Sequence, residues 1–106
     1  MFNRFLYIFF LNLSFITAQI SGRTIAILDF EGIGINSIEA ISLTDIFNAE
    51  IAKTGTVSLV DRSIVKETLF EQDIVQVQCK TLECISKAGA SLNVDLIMGG
   101  VVEKNN

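Results

Sequence analysis

The sequence predicts a mixed α/β domain: a three-layer, partly parallel sheet in strand order 2-1-3, with helices on both faces. Two observations carry this expectation. Thr24 to Phe30 is a continuous apolar run and Val94 to Lys104 is apolar almost throughout, the pattern of strands covered on both faces. Between them, residues that can cap helices precede apolar positions at helical spacing. The chain after residue 18 contains no repeat, no low-complexity tract and no proline, so residues 19–106 read as a single domain.

The elements follow in order. After the first strand, Asn36 stands three residues before Glu39, which is the spacing of a capping box. Ala40, Leu43, Phe47 and Ile51 then recur on one face of a helix that Gly55 should end. Residues 56–62, TVSLVDR, are short and only half apolar, so they read as an edge strand. Ser63 can cap a second helix carrying Val65 and Leu69. Thr81 can cap a third through Leu82, Ile85, Ala88 and Leu92, ending near Asn93. Alternating strands and helices imply parallel pairing through right-handed crossovers. With the edge-like strand outside the two apolar ones, the switch point falls at the carboxy ends of strands one and three, beside FEGIGIN.

Residues 1–18 carry one early positive charge, Arg4, then a mostly apolar run from Phe5 to Ile16 and a small residue at Ala18. That is the layout of a secretory signal peptide cleaved after Ala18, and the run is shorter than the about 20 residues a spanning helix needs. An uncleaved amino-terminal anchor is the rival reading. No cysteine follows the run, so no lipid anchor is expected. Cleavage would remove Arg4 and no acid, leaving seven bases against twelve acids and a net charge of −5. An acidic chain with no basic run and no histidine has no electrostatic footprint for nucleic acid. The absence of histidine also withholds the usual base from any serine or cysteine nucleophile. No catalytic residue, no enzyme activity and no cofactor is expected.

Two motifs remain. In FEGIGIN, Gly32 and Gly34 form a Gly-x-Gly flanked by Asp29 and Glu31. Fixed negative charge disfavours phosphate there, Ser37 stands where a third glycine would be needed, and no Lys-Ser/Thr follows. A plain turn is the leading reading. A small ligand, or a divalent cation held by Asp29, Glu31 and Glu103, is the alternative. Arg62 at the end of the second strand can hold an anion or pair with a carboxylate, and the pair is favoured. Cys79 and Cys84 are the only cysteines. In an exported chain they read first as a disulfide tying the loop before the third helix to its first turn. Their Cys-x4-Cys spacing is not the thioredoxin motif, and two sulfurs without histidine do not complete a structural zinc site.

The phrases AILDFEGIGI, LTDIFNAEIAKTGTVSLVDRS, LFEQ and NVDLIMGGVVEK resemble the periplasmic α/β domain of CsgG-type proteins, the curli secretion and assembly family, and the similarly folded amino-terminal domain of TolB. The resemblance implies a non-enzymatic domain of the cell envelope that works through protein–protein contacts, often as an oligomer, and is periplasmic or otherwise exported. Being a pore is not implied, because the membrane-inserting hairpins and lipidated cysteine of the channel members have no counterpart here. In that family a further antiparallel strand follows the third. KNN reads as a turn, so this domain is expected to lack a terminal antiparallel strand. Either the chain is truncated, or the third strand's edge is completed by a protein partner or by self-association.

Overall fold

The computed structural model describes residues 22–104; residues 1–18, read above as a signal peptide, lie outside them. The chain runs β1 (Thr24–Ile27), β2 (Glu31–Ile33), α1 (Ser37–Thr54), β3 (Ser58–Leu59), α2 (Arg62–Glu71), a 3₁₀ turn (Gln76–Gln78), α3 (Leu82–Leu92), β4 (Leu96–Met98) and β5 (Val101–Glu103). Both sheets are parallel: β3-β1-β4, in the expected 2-1-3 order, and β2-β5. The domain is therefore α/β. No helix among the described residues is long and apolar enough to cross a membrane.

Local chemistry starts and stops each helix. The Asn36 side chain accepts the Glu39 N–H at 2.8 Å, and Gly55, in the left-handed region at φ 67°, closes α1. Thr81 accepts the Cys84 N–H at the start of α3, and Asn93 ends it in the left-handed region at φ 55°. For α2 the cap is Asp61, two residues earlier than the expected Ser63, which instead donates to it through both its N–H and its hydroxyl. Those two bonds, the backbone one first, hold the Asp61 carboxyl below the usual carboxylate range.

Period-2 alternation divides β1 between two layers. Ala26 and Leu28 join Val65 and Leu69 of α2, Ala88 of α3 and Cys79 in one buried cluster. Ile25 and Ile27 are buried on the opposite face, where α1 lies with Ala40 and Thr44 as its buried residues. Full burial of a side chain such as Leu69 contributes about 2 kcal/mol. The inward face of α1 differs from the expected one: Leu43 is 41% exposed and Thr44 fully buried. The helix is rotated because the Thr44 hydroxyl has work beneath it. Leu82, likewise expected inside, is 81% exposed, while Cys84, Ile85, Ala88 and Leu92 of α3 reach the cluster.

The larger correction concerns FEGIGIN. It is not a loop between strand and helix, because Glu31–Ile33 pairs with β5 as a strand. Ile27 stands opposite Met98 and Glu31 opposite Val101, so three residues, 28–30, face only two, Gly99 and Gly100. The first apolar run therefore carries a one-residue bulge and continues as β2. On the other side, the Met98 and Gly100 carbonyls, two residues apart, accept the Leu28 and Glu31 N–H groups at 2.8 and 3.0 Å. The chain from Leu96 to Glu103 thus keeps strand alternation through its glycines.

Candidate functional site

The bulge lies at the carboxy ends of parallel strands, the place where open α/β sheets bind ligands. Its extra residue removes the partner strand from two N–H groups, and each must find another acceptor. The Asp29 N–H donates to Gln76 Oε1 at 2.8 Å. The Phe30 N–H donates to Thr44 Oγ1 at 2.9 Å, while the same hydroxyl donates to the Ala40 carbonyl at 2.8 Å. A buried threonine of α1 and a glutamine of the 3₁₀ turn therefore complete the sheet. Thr44→Val, which keeps the shape but strands the Phe30 N–H, is expected to cost about 2 kcal/mol, read from chemical denaturation. Thr44→Ser should retain most of the stability, and an unchanged Thr44→Val would refute the hydroxyl's role.

The charged residues at the bulge are joined to one another. Arg62 donates to the Ile27 carbonyl and to Asp29 Oδ1, and its Nε donates to Asp45 Oδ1 of α1 at 3.0 Å. One guanidinium thus ties β1, α1 and α2 at the bulge. Lys80 pairs with Glu31. Asp29 and Glu31 are not brought together around a shared space, but each faces its own cation. Glu103 lies on β5 opposite Ile33. Among the described residues no group of three or more His, Cys, Asp or Glu is placed to hold a metal ion.

The two glycines of the motif have steric duties. A Cβ on Gly32 would meet Ile35 Cγ1 at 2.8 Å and its carbonyl oxygen at 3.0 Å, where the chain folds back toward α1. Gly34 takes φ 77°, and a Cβ built on it would stand 3.0 Å from the Lys104 carbonyl oxygen, so the position needs both the left-handed conformation and the absence of a side chain. The motif is a strand and turn device, with its backbone committed to β5 and to the entry of α1.

Beside the bulge, on the α2–α3 face, is a cleft of about 360 Å³ lined in part by Leu28, Val77, Lys80, Ile85, Ile97 and Gly99. Cys79 is also on its wall. Cys79 and Cys84 are joined in a disulfide with Cα atoms 5.3 Å apart, linking the residue after the 3₁₀ turn to the first turn of α3 as the spacing implied. The bridge sets the position of the turn that supplies Gln76 and of Lys80.

Thr44, Gln76 and Lys80 were not legible as site residues. Of these, only Thr44 left a trace, as a polar residue one turn on from Ala40 and beside Leu43 and Phe47. No protein-family model, no curated protein and no solved structure matches this chain.

Proposed function

We propose that this chain is an exported, non-enzymatic interaction domain of the cell envelope, of the CsgG type, that binds a protein partner along the outer edge of β4 and β5. One contrast carries the reading. The charged groups at the carboxy ends of the strands are consumed by internal pairs, Arg62 with Asp29 and Asp45, and Lys80 with Glu31. The outer edge of β4–β5 has no partner strand among the described residues, and Leu96, Met98 and Val101 along it are 44%, 38% and 54% exposed. An unpaired apolar edge is a template for strand addition. Export rests on the apolar run before Ala18.

The alternative, a small-ligand or divalent-cation site, draws on the cleft at the strand ends. A cation there would have to displace Arg62 or Lys80 from its carboxylate. Thermal melts with calcium, magnesium and nucleotides address it, because a ligand that binds only the folded chain raises the midpoint.

The interaction reading is tested in cells by placing a photo-crosslinking amino acid at Val101 or, as a control on α2, at the exposed Glu67. Exported chain should crosslink to one discrete protein from Val101 and not from Glu67. Crosslinking should vanish in a Leu96→Lys, Met98→Lys background. Equal products from both positions, or none from Val101, would reject the edge as the contact.

A further inference from the structure

The cleft and the open edge are parts of one feature, and together they describe the segment that would fit. Met98 and Gly100 turn their carbonyls toward the neighbouring strand, at Leu28 and Glu31 respectively. By strand alternation the backbone groups of Ile97, Gly99, Val101 and Glu103 point outward, to the unpaired side. An added antiparallel strand would therefore form its hydrogen-bonded pairs with these odd-numbered residues.

Directly opposite residues in such a pair project from the same face of the sheet. Ile97 packs against the cluster built with α2 and α3, so the residue opposite Gly99 would project onto that face too. Gly99 has no side chain to fill this space, and a Cβ built on it meets nothing within 4 Å. The space is the cleft, walled by Leu28, Val77, Ile85 and Ile97, and about 360 Å³ accommodates one large apolar side chain. Two exposed acids stand four residues on either side of Gly99: Glu103, and Asp95, whose Oδ2 also accepts the Thr24 N–H at 3.0 Å.

On the reading that the β4–β5 edge binds a protein partner, we propose that the partner is an extended segment of another protein. It pairs antiparallel with this edge, inserts one large apolar side chain over Gly99, and carries basic residues four places before and after that anchor, facing Asp95 and Glu103. The same geometry disfavours a second copy of this chain. Antiparallel pairing of two β4–β5 edges centred on Gly99 sets Asp95 against Glu103 and glycine against glycine, leaving the cleft empty. Centred on Gly100, it sets Val101 over Gly99 but the Glu103 carboxylate against Ile97; centred on Met98, it sets Ile97 over Gly99 but the Asp95 carboxylate against Val101.

The test uses the purified chain and a labelled nonapeptide, Lys-Thr-Thr-Thr-Phe-Thr-Thr-Thr-Lys, with binding followed by fluorescence anisotropy. Replacing the central Phe by Ala should weaken binding about tenfold, and replacing both Lys by Glu about fivefold. Methylating the central peptide nitrogen should abolish it. Gly99→Val fills the cleft from within and, at a backbone position that strains no side chain, should leave the fold intact. It should weaken the Phe peptide about tenfold, to the level of the Ala peptide, and leave the Ala peptide unchanged. Val101→Pro, which removes an outward N–H at an exposed position, should abolish binding of both.

If Val101→Pro abolishes binding but neither Gly99→Val nor the Phe-to-Ala change matters, the anchor proposal is overturned and the edge reading stands. If Val101→Pro has no effect on binding, or if no peptide binds and the chain is monomeric, both fall. A dimer in light scattering that Val101→Pro dissociates, together with failure of every peptide, would assign the edge to a second copy and overturn the partner proposed here.

Discussion

Replacing Arg62 by methionine is expected to lower the unfolding free energy by about 3 kcal/mol, at the low end of what breaking a buried ion pair costs. The Arg62 and Asp29 side chains are only 16% and 19% exposed, so Asp29 would be left largely out of water with no counter-charge. The Ile27 carbonyl would lose its donor at the same time. The cost stays at that low end because Asp45, the third acceptor, is 56% exposed and its pair with Arg62 is worth little by itself. Arg62→Lys should recover only part of the loss. A single ammonium cannot reach acceptors on β1 and on α1 with the fixed fork of a guanidinium. Arg62→Met combined with Asp29→Asn should be less destabilised than the sum of the two single changes, because the second removes the charge that the first strands. Urea unfolding measures all four variants, the single Asp29→Asn included, and an Arg62→Met midpoint equal to that of the parent chain would remove the clamp from the account.

Cys79→Ser is expected to cost about 3 kcal/mol. Opening a loop this short restores about 2 kcal/mol of chain entropy to the unfolded state. A further 1 kcal/mol or so arises because Cys79 is 5% exposed and its replacement puts a hydroxyl among apolar neighbours. Cys84→Ser breaks the same bridge at a less buried position and should cost only the first part. The difference between the two variants isolates burial from cross-linking. Hydrogen exchange should show where the loss is felt first. The amide of Asp29, held by Gln76 of the adjoining 3₁₀ turn, should lose protection in both variants. Equal stability of both variants and the parent would mean that the bridge only follows the fold.

How much of this was legible in the sequence depended on how far apart the interacting residues stand. The helix caps at Asn36, Gly55, Thr81 and Asn93 were readable because each acts within one turn of its own position. The strand order around β1 followed from the same kind of reading, since a strand buried on both faces must be apolar at every position; the second run is apolar too, but it lies at the sheet edge with Leu96, Met98 and Val101 exposed, where cover on both faces was expected. The disulfide was readable because five residues separate its cysteines.

The bulge was not readable in this way, and it is the bulge that shapes the candidate site. Nothing local distinguishes LDFEG as a bulged strand from LDFEG as the end of one. The difference lies in how many residues the partner strand sets opposite, and β4–β5 is about 70 positions away in the chain. The acceptors that make the bulge tolerable are likewise remote: Thr44 lies 14 residues from Phe30, Gln76 lies 47 from Asp29, and Arg62 lies 35 from Ile27. The rotation of α1 that buries Thr44 and leaves Leu43 half in water follows from that same hydroxyl, so the hydrophobic period alone pointed one position away. Sequence by itself determined the elements, their caps and their order, because each is decided by neighbours in the chain or by a face that must be dry. Only the tertiary structure decided which backbone groups lose their partners and which distant side chains replace them, because the demand for a hydrogen bond arises only once two strands of unequal length are laid side by side.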